Sequence, residues 1–113
     1  MTKIRIRKAE GTWTVRAGGA ILVESRNALE LTRPGHEDVI YFPREDIAMA
    51  FLDETDHTTR CPEKGEARYF SIVTKSRKLD NAAWSYESPT DEIARIKDHI
   101  AFRSGDDLTV ERI

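Results

Sequence analysis

The chain is expected to fold as a mainly β domain, a small antiparallel β-sheet structure with one short helix near residues 89-98. Three observations point there. Apolar and polar residues alternate through most of the sequence, which is the period of a half-buried strand. Short connections rich in Gly and Pro separate the alternating runs, and short connections favour antiparallel pairing, because parallel neighbours need crossovers of about a dozen residues or more. One segment alone changes to spacings of three and four. With 113 residues, the chain suits a single domain, 1-113, able to bury about two-thirds of its unfolded surface.

Taken in order, Ile4 and Ile6 alternate with Lys3, Arg5 and Arg7 and open the first strand. Trp13 to Arg16 leads into Gly18-Gly19 and then Ile21-Leu22-Val23. A Gly pair supplies the positive φ angles of a tight hairpin turn, so these two strands should meet. Leu29 and Leu31 alternate with Glu30 and Thr32, and Pro34-Gly35 then breaks the chain before Val39-Ile40-Tyr41-Phe42. Lys75-Ser76-Arg77 separates Tyr69 to Val73 from Ala82 to Tyr86, a further hairpin. Ile93, Ile96 and Ile100 carry the helical spacing after Ser88-Pro89-Thr90-Asp91. Ser88 is placed to cap the helix and Pro89 suits its first turn, while Asp91 and Glu92 put negative charge at the positive end of the dipole. His99 to Phe102 and Leu108 to Glu111 then read as strands around a Gly105-Asp106 turn. The N-terminal strand and the Leu108 to Ile113 segment are the expected sheet edges, through which a homo-oligomer could form.

Eighteen Lys and Arg nearly balance twenty Asp and Glu, for a net charge of −2. No basic field draws the chain to nucleic acid or to an anionic membrane. The longest apolar run, Ile47 to Leu52, is far short of the roughly 18 residues that span a bilayer. One cysteine cannot form an internal disulfide, and Met1-Thr2-Lys3-Ile4-Arg5 lacks the apolar run of a signal peptide, so a cytoplasmic location is expected.

Four motifs then fall in a familiar order: Tyr41-Phe42-Pro43-Arg44-Glu45-Asp46; Thr59-Arg60-Cys61-Pro62-Glu63-Lys64-Gly65; Asn81-Ala82-Ala83-Trp84-Ser85-Tyr86 with Pro89; and His99-Ile100-Ala101-Phe102. Together they resemble the bacterial family called domain of unknown function 427, over nearly the whole chain. The resemblance implies a small, mostly β fold similar to the β-tent of methionine sulfoxide reductase B and Mss-four-like proteins. It implies no settled activity, although the family has carried a nucleotidyltransferase label. Glu63 and Arg103 stand where aromatic residues are usual in that family, which makes any pocket they line more polar. Zinc-binding β-tent proteins use paired Cys-x-x-Cys motifs. This chain has none, and His36, His57 and His99 show no ligand spacing, so no metal or other cofactor is expected.

The candidate chemistry rests on few residues. Cys61 is a nucleophile if Lys64 lowers its pKa, and a small buried apolar side chain otherwise. His99 or Glu45 is the acid or base that Cys61 would need, although His99 also reads as a half-buried structural histidine at the end of the helix. Arg44 and Lys64 are cations suited to a carboxylate or phosphate. The alternative for Arg44, Glu45 and Asp46 is an ion-pair network that fixes a turn. Trp84 and Tyr86 share a strand face and serve either as core or as pocket wall. Asp53, Glu54 and Asp56 form a tight acidic cluster, read as a solvated β-turn rather than a magnesium site. The favoured reading is a pocket that binds a small polar or anionic ligand. The competing ones are an interaction module whose motifs are structural, and a nucleotidyl-transfer enzyme.

Overall fold

The computed structural model describes residues 3–113; Met1 and Thr2 of the charged N-terminal start lie outside the described residues. Among the described residues, ten strands form two antiparallel sheets. They are β1 (Arg5–Lys8), β2 (Trp13–Ala17), β3 (Ala20–Ser25), β4 (Leu29–Thr32), β5 (Val39–Pro43), β6 (Leu52–Cys61), β7 (Gly65–Val73), β8 (Lys78–Tyr86), β9 (His99–Phe102) and β10 (Leu108–Arg112). The larger sheet has the order β1-β4-β5-β9-β8-β7-β6, and the smaller has the order β10-β2-β3.

The expected turns are present. Ala17 pairs with Ala20 across Gly18-Gly19, and Gly18 takes φ 59°. That left-handed angle is the reason for glycine there. Val73 pairs with Lys78 across Lys75-Ser76-Arg77, with Thr74 N–H donating to the Arg77 carbonyl at 2.9 Å. β1 and β10 are sheet edges, as expected for these two segments.

The large sheet buries both faces. On one, Phe42, Phe70, Ile72, Ile100 and Phe102 meet Val15, Leu22, Val23 and Leu108 of the small sheet. On the other, Leu31, Tyr41, Ala67, Tyr86 and Ala101 pack with Ile93 and Ile96. Side-chain alternation explains the split: Trp84 and Tyr86 point to the outer face, and Ala83 and Ser85 to the inter-sheet face. The segment 44–51 ties the layers together, since Val23 bridges Ile47 and Ala48 N–H donates to the Leu22 carbonyl at 2.8 Å.

Three sequence expectations are corrected or refined. The helix near residues 89-98 is a 3-10 segment, Asp91–Ile96, kinked at Ile93 (φ −123°, ψ 27°). Its first flanking residue is Thr90 rather than Ser88, and the Thr90 hydroxyl donates to the Glu63 carbonyl at 2.7 Å instead of capping. Ile93 and Ile96 still point inward, because residues three apart eclipse in a 3-10 turn, which reproduces the apolar spacing without an α-helix. Second, the strands on either side of the Gly105-Asp106 turn are present, with Gly105 N–H donating to the Leu108 carbonyl at 2.9 Å, but β9 and β10 join different sheets. Third, Asp53, Glu54 and Asp56 lie within β6 rather than in a turn, beside a register shift between Glu54 and Thr58. No helix among the described residues is long and apolar enough to cross a membrane.

Candidate functional site

The β6–β7 hairpin turn Cys61-Pro62-Glu63-Lys64-Gly65 builds the centre of the site. Cys61 pairs with Gly65, and the Lys64 amide closes the turn on the Cys61 carbonyl at 3.1 Å. Gly65 has φ +108°, and a Cβ there would lie 3.0 Å from the Ser88 carbonyl oxygen. Only glycine lets the two backbones approach so closely. Thr90 completes the clamp: its amide donates to the Lys64 carbonyl at 3.1 Å while its hydroxyl holds the Glu63 carbonyl.

This clamp turns Lys64 inward. The residue is 9 % exposed, yet among the described residues its ammonium has neither a hydrogen bond nor an ion pair. Its one specific contact is the Tyr86 ring, whose centroid lies 5.9 Å from Nζ. Burial lowers the lysine pKa below its ordinary value, and the neighbouring Arg33 lowers it further; Cys61 and Glu63 oppose the change. Arg33 donates to Glu63 Oε1 at 2.8 Å and to His36 Nδ1 at 3.1 Å. Its Nε is buried with no acceptor among the described residues. Arg33 also lines a surface depression of about 360 Å3 with Lys3 and Arg5, and among the described residues no acidic one lines it. A chain of slightly negative net charge thus gathers cations at this place.

Aromatic side chains continue the same face. Burial pushes the Tyr86 phenol up to about 12, with Cys61 and Tyr69 adding to the shift. The Tyr41 phenol is raised further by its own burial and accepts a bond from Trp84 Nε1 at 3.4 Å. The Tyr69 ring lies 6.4 Å from that of Trp84 and 4.6 Å from that of His57. Cys61 is a free, half-buried thiol within electrostatic reach of Lys64, Tyr86 and Tyr41.

The seven candidates therefore divide. Cys61, Lys64, Trp84 and Tyr86 share the outer face. Arg44 works on the opposite face, where it stacks over the Phe70 ring at 5.5 Å. It donates to the Asp98 carbonyl at 3.1 Å, to buried Ser85 Oγ at 3.3 Å and to Glu87 at 3.0 Å. Its donors are engaged by the protein, which is the ion-pair alternative raised for this motif. Glu45 is exposed in a 3-10 turn, Arg44–Asp46. His99 stands one residue beyond the Ser85–Ile100 pair, opposite Tyr86, but its Nδ1–H donates to the Lys97 carbonyl at 3.0 Å. Among the described residues it makes no hydrogen bond to Cys61, and no three or more His, Cys, Asp or Glu side chains there gather to hold a metal.

Arg33 and Tyr69 were absent from the sequence candidates. Arg33 sits thirty positions from Glu63 and outside every motif, so only the sheet order could reveal it. Tyr69 lies in β7 opposite Trp84, a pairing readable only once the Lys75–Arg77 turn sets the register.

No curated protein matches the chain. A family model, described as a domain of unknown function (DUF427), matches residues 5–112. That match spans nearly all of the two-sheet fold and every motif that builds the site, and the chain accordingly belongs to the DUF427 family.

Proposed function

We propose that the protein binds a small anionic ligand beside the β6–β7 turn, held by Lys64 and Arg33 and walled by Tyr86 and Cys61. One observation carries this reading: a lysine nine-tenths buried as a residue, whose ammonium has no ion pair among the described residues and lies next to a second cation. Isolated buried charge is costly and two like charges raise the cost, so an arrangement of this kind gains most from an arriving carboxylate or phosphate. The lysine supplies a compact charge, and the guanidinium a planar cation whose terminal nitrogens are held in place by Glu63 and His36. Tyr86 offers an apolar ring with a phenol that stays protonated, a donor rather than a repelling anion. Arg44, Glu45 and His99 support the scaffold in this reading, and Trp84 extends the wall through Tyr69 and Tyr41.

The test is thermal unfolding with pyrophosphate, citrate or inorganic phosphate at matched ionic strength. A ligand at a hundredfold its Kd stabilises by about 2.7 kcal/mol. Stabilisation by at least one anion in the wild type, and its loss in Lys64→Met, is the expected result. An unchanged response in the variant, or none of the anions acting on the wild type, would overturn the proposal.

A further inference from the structure

The chain has two tryptophans, one in each sheet, and both line a single cleft of about 440 Å3. It opens where β5 begins and β9 ends, with Phe102 also in its wall. The volume falls within the roughly 300–1,000 Å3 of small-molecule sites. Its charges are lopsided. Glu30, Glu37 and Asp38 line it against one cation, Arg103. Arg7 engages Glu30 at 2.8 Å, and Arg103 donates to the Asp80 carbonyl at 3.0 Å. Glu37 and Asp38 make no hydrogen bond or ion pair among the described residues, and both are exposed.

We propose that this cleft binds a small organic cation, an ammonium group carried on an apolar body. Indole faces attract cations through the ring quadrupole, most strongly where water is partly excluded. The carboxylates add long-range attraction, and the apolar wall accepts the alkyl part of the ligand. An anion would meet net negative charge, and a neutral ligand would gain no charge–charge attraction from the carboxylates. Trp84 borders both sites, but the inference does not rest on the anion site, since the ligand charge is opposite and the cleft holds neither Lys64 nor Arg33.

Choline titrated into the full chain is the test, read by the two indole N–H resonances in nuclear magnetic resonance. Both indoles line the cleft, so they report on it directly. Both should shift with saturation. The neutral carbon isostere, with a tert-butyl group in place of trimethylammonium, should bind at least about tenfold more weakly, the order expected for a partly desolvated cation–π contact. E37Q/D38N removes two exposed charges without touching the core, and should weaken choline binding about fivefold, as modest exposed-charge terms allow. Unmoved indoles, equal binding of the isostere, or an unaffected double variant would each overturn the proposal.

Discussion

Replacing Lys64 with methionine is expected to stabilise the unliganded protein. The lysine is 9 % exposed, and its ammonium is largely desolvated, makes no hydrogen bond or ion pair among the described residues and lies beside Arg33. An unsatisfied buried polar group costs about 1–3 kcal/mol. Against this stands the contact with the Tyr86 ring, of a kind worth at most about 2 kcal/mol. Methionine keeps the stem and replaces that contact with a sulfur–aromatic one of about 0.3–1.5 kcal/mol. The net gain is about 1 kcal/mol, or about 4 °C in Tm for a domain of this size. The pH dependence gives an independent reading. With the folded pKa of Lys64 below 10.5, the unfolded chain binds more protons between the two values, so wild-type stability rises with pH through that window. Lys64→Met lacks this term, and the stability gap should be widest near neutral pH and close as pH approaches 10.5. Urea unfolding across that range is the assay. A variant that melts below the wild type, with a gap indifferent to pH, would refute the argument that Lys64 is held at a cost.

Gly65→Ala should destabilise by roughly 2 kcal/mol through its positive φ and its approach to the Ser88 carbonyl, whereas Gly105→Ala, with nothing within 4 Å of its Cβ, should stay within about 0.5 kcal/mol; chemical denaturation separates them. Arg44→Ala strips Ser85 and Glu87 of a donor and should cost about 2 kcal/mol. By the same measurement Arg68→Ala, whose side chain is 48 % exposed, should cost under about 1 kcal/mol. With the folded Tyr86 pKa near 12 against 10.0 unfolded, the native state holds its proton longer, so this term is fully present below 10.0 and is lost as pH rises towards 12. Tyrosinate absorbance from Tyr86 should appear together with unfolding, and its appearance in folded protein at the ordinary tyrosine pKa would contradict the burial argument.

Local signals carried much of the fold into view from the residues alone. Gly18-Gly19, Lys75-Ser76-Arg77 and the alternation around Leu29 and Leu31 are short-range features, and the hairpins they mark are present. The segment after Ser88 misled in type but not in face, because spacings of three and four serve a kinked 3-10 segment as well as an α-helix. Where β9 and β10 would go was invisible, since sheet membership depends on packing between layers rather than on the Gly105-Asp106 turn. The candidate site was legible to the extent that it lies in one turn. Cys61, Lys64 and Gly65 are neighbours in the chain, and Tyr86 follows from strand alternation. Arg33 arrives through the order of seven strands, and Arg44 departs through the same order, to the other face.

The clamp between Thr90 and the β6–β7 turn has a consequence for motion. The Thr90 amide and hydroxyl bind consecutive carbonyls of the turn, and the segment that follows carries Ile93 and Ile96 into the outer core. Swinging that segment away breaks both bonds and uncovers the outer core in the same event, so the two behave as one cooperative opening unit rather than as a free flap. Hydrogen exchange at the Thr90 amide therefore reports when the Lys64 turn is released, and an anion that stabilises the closed turn slows that exchange from a distance.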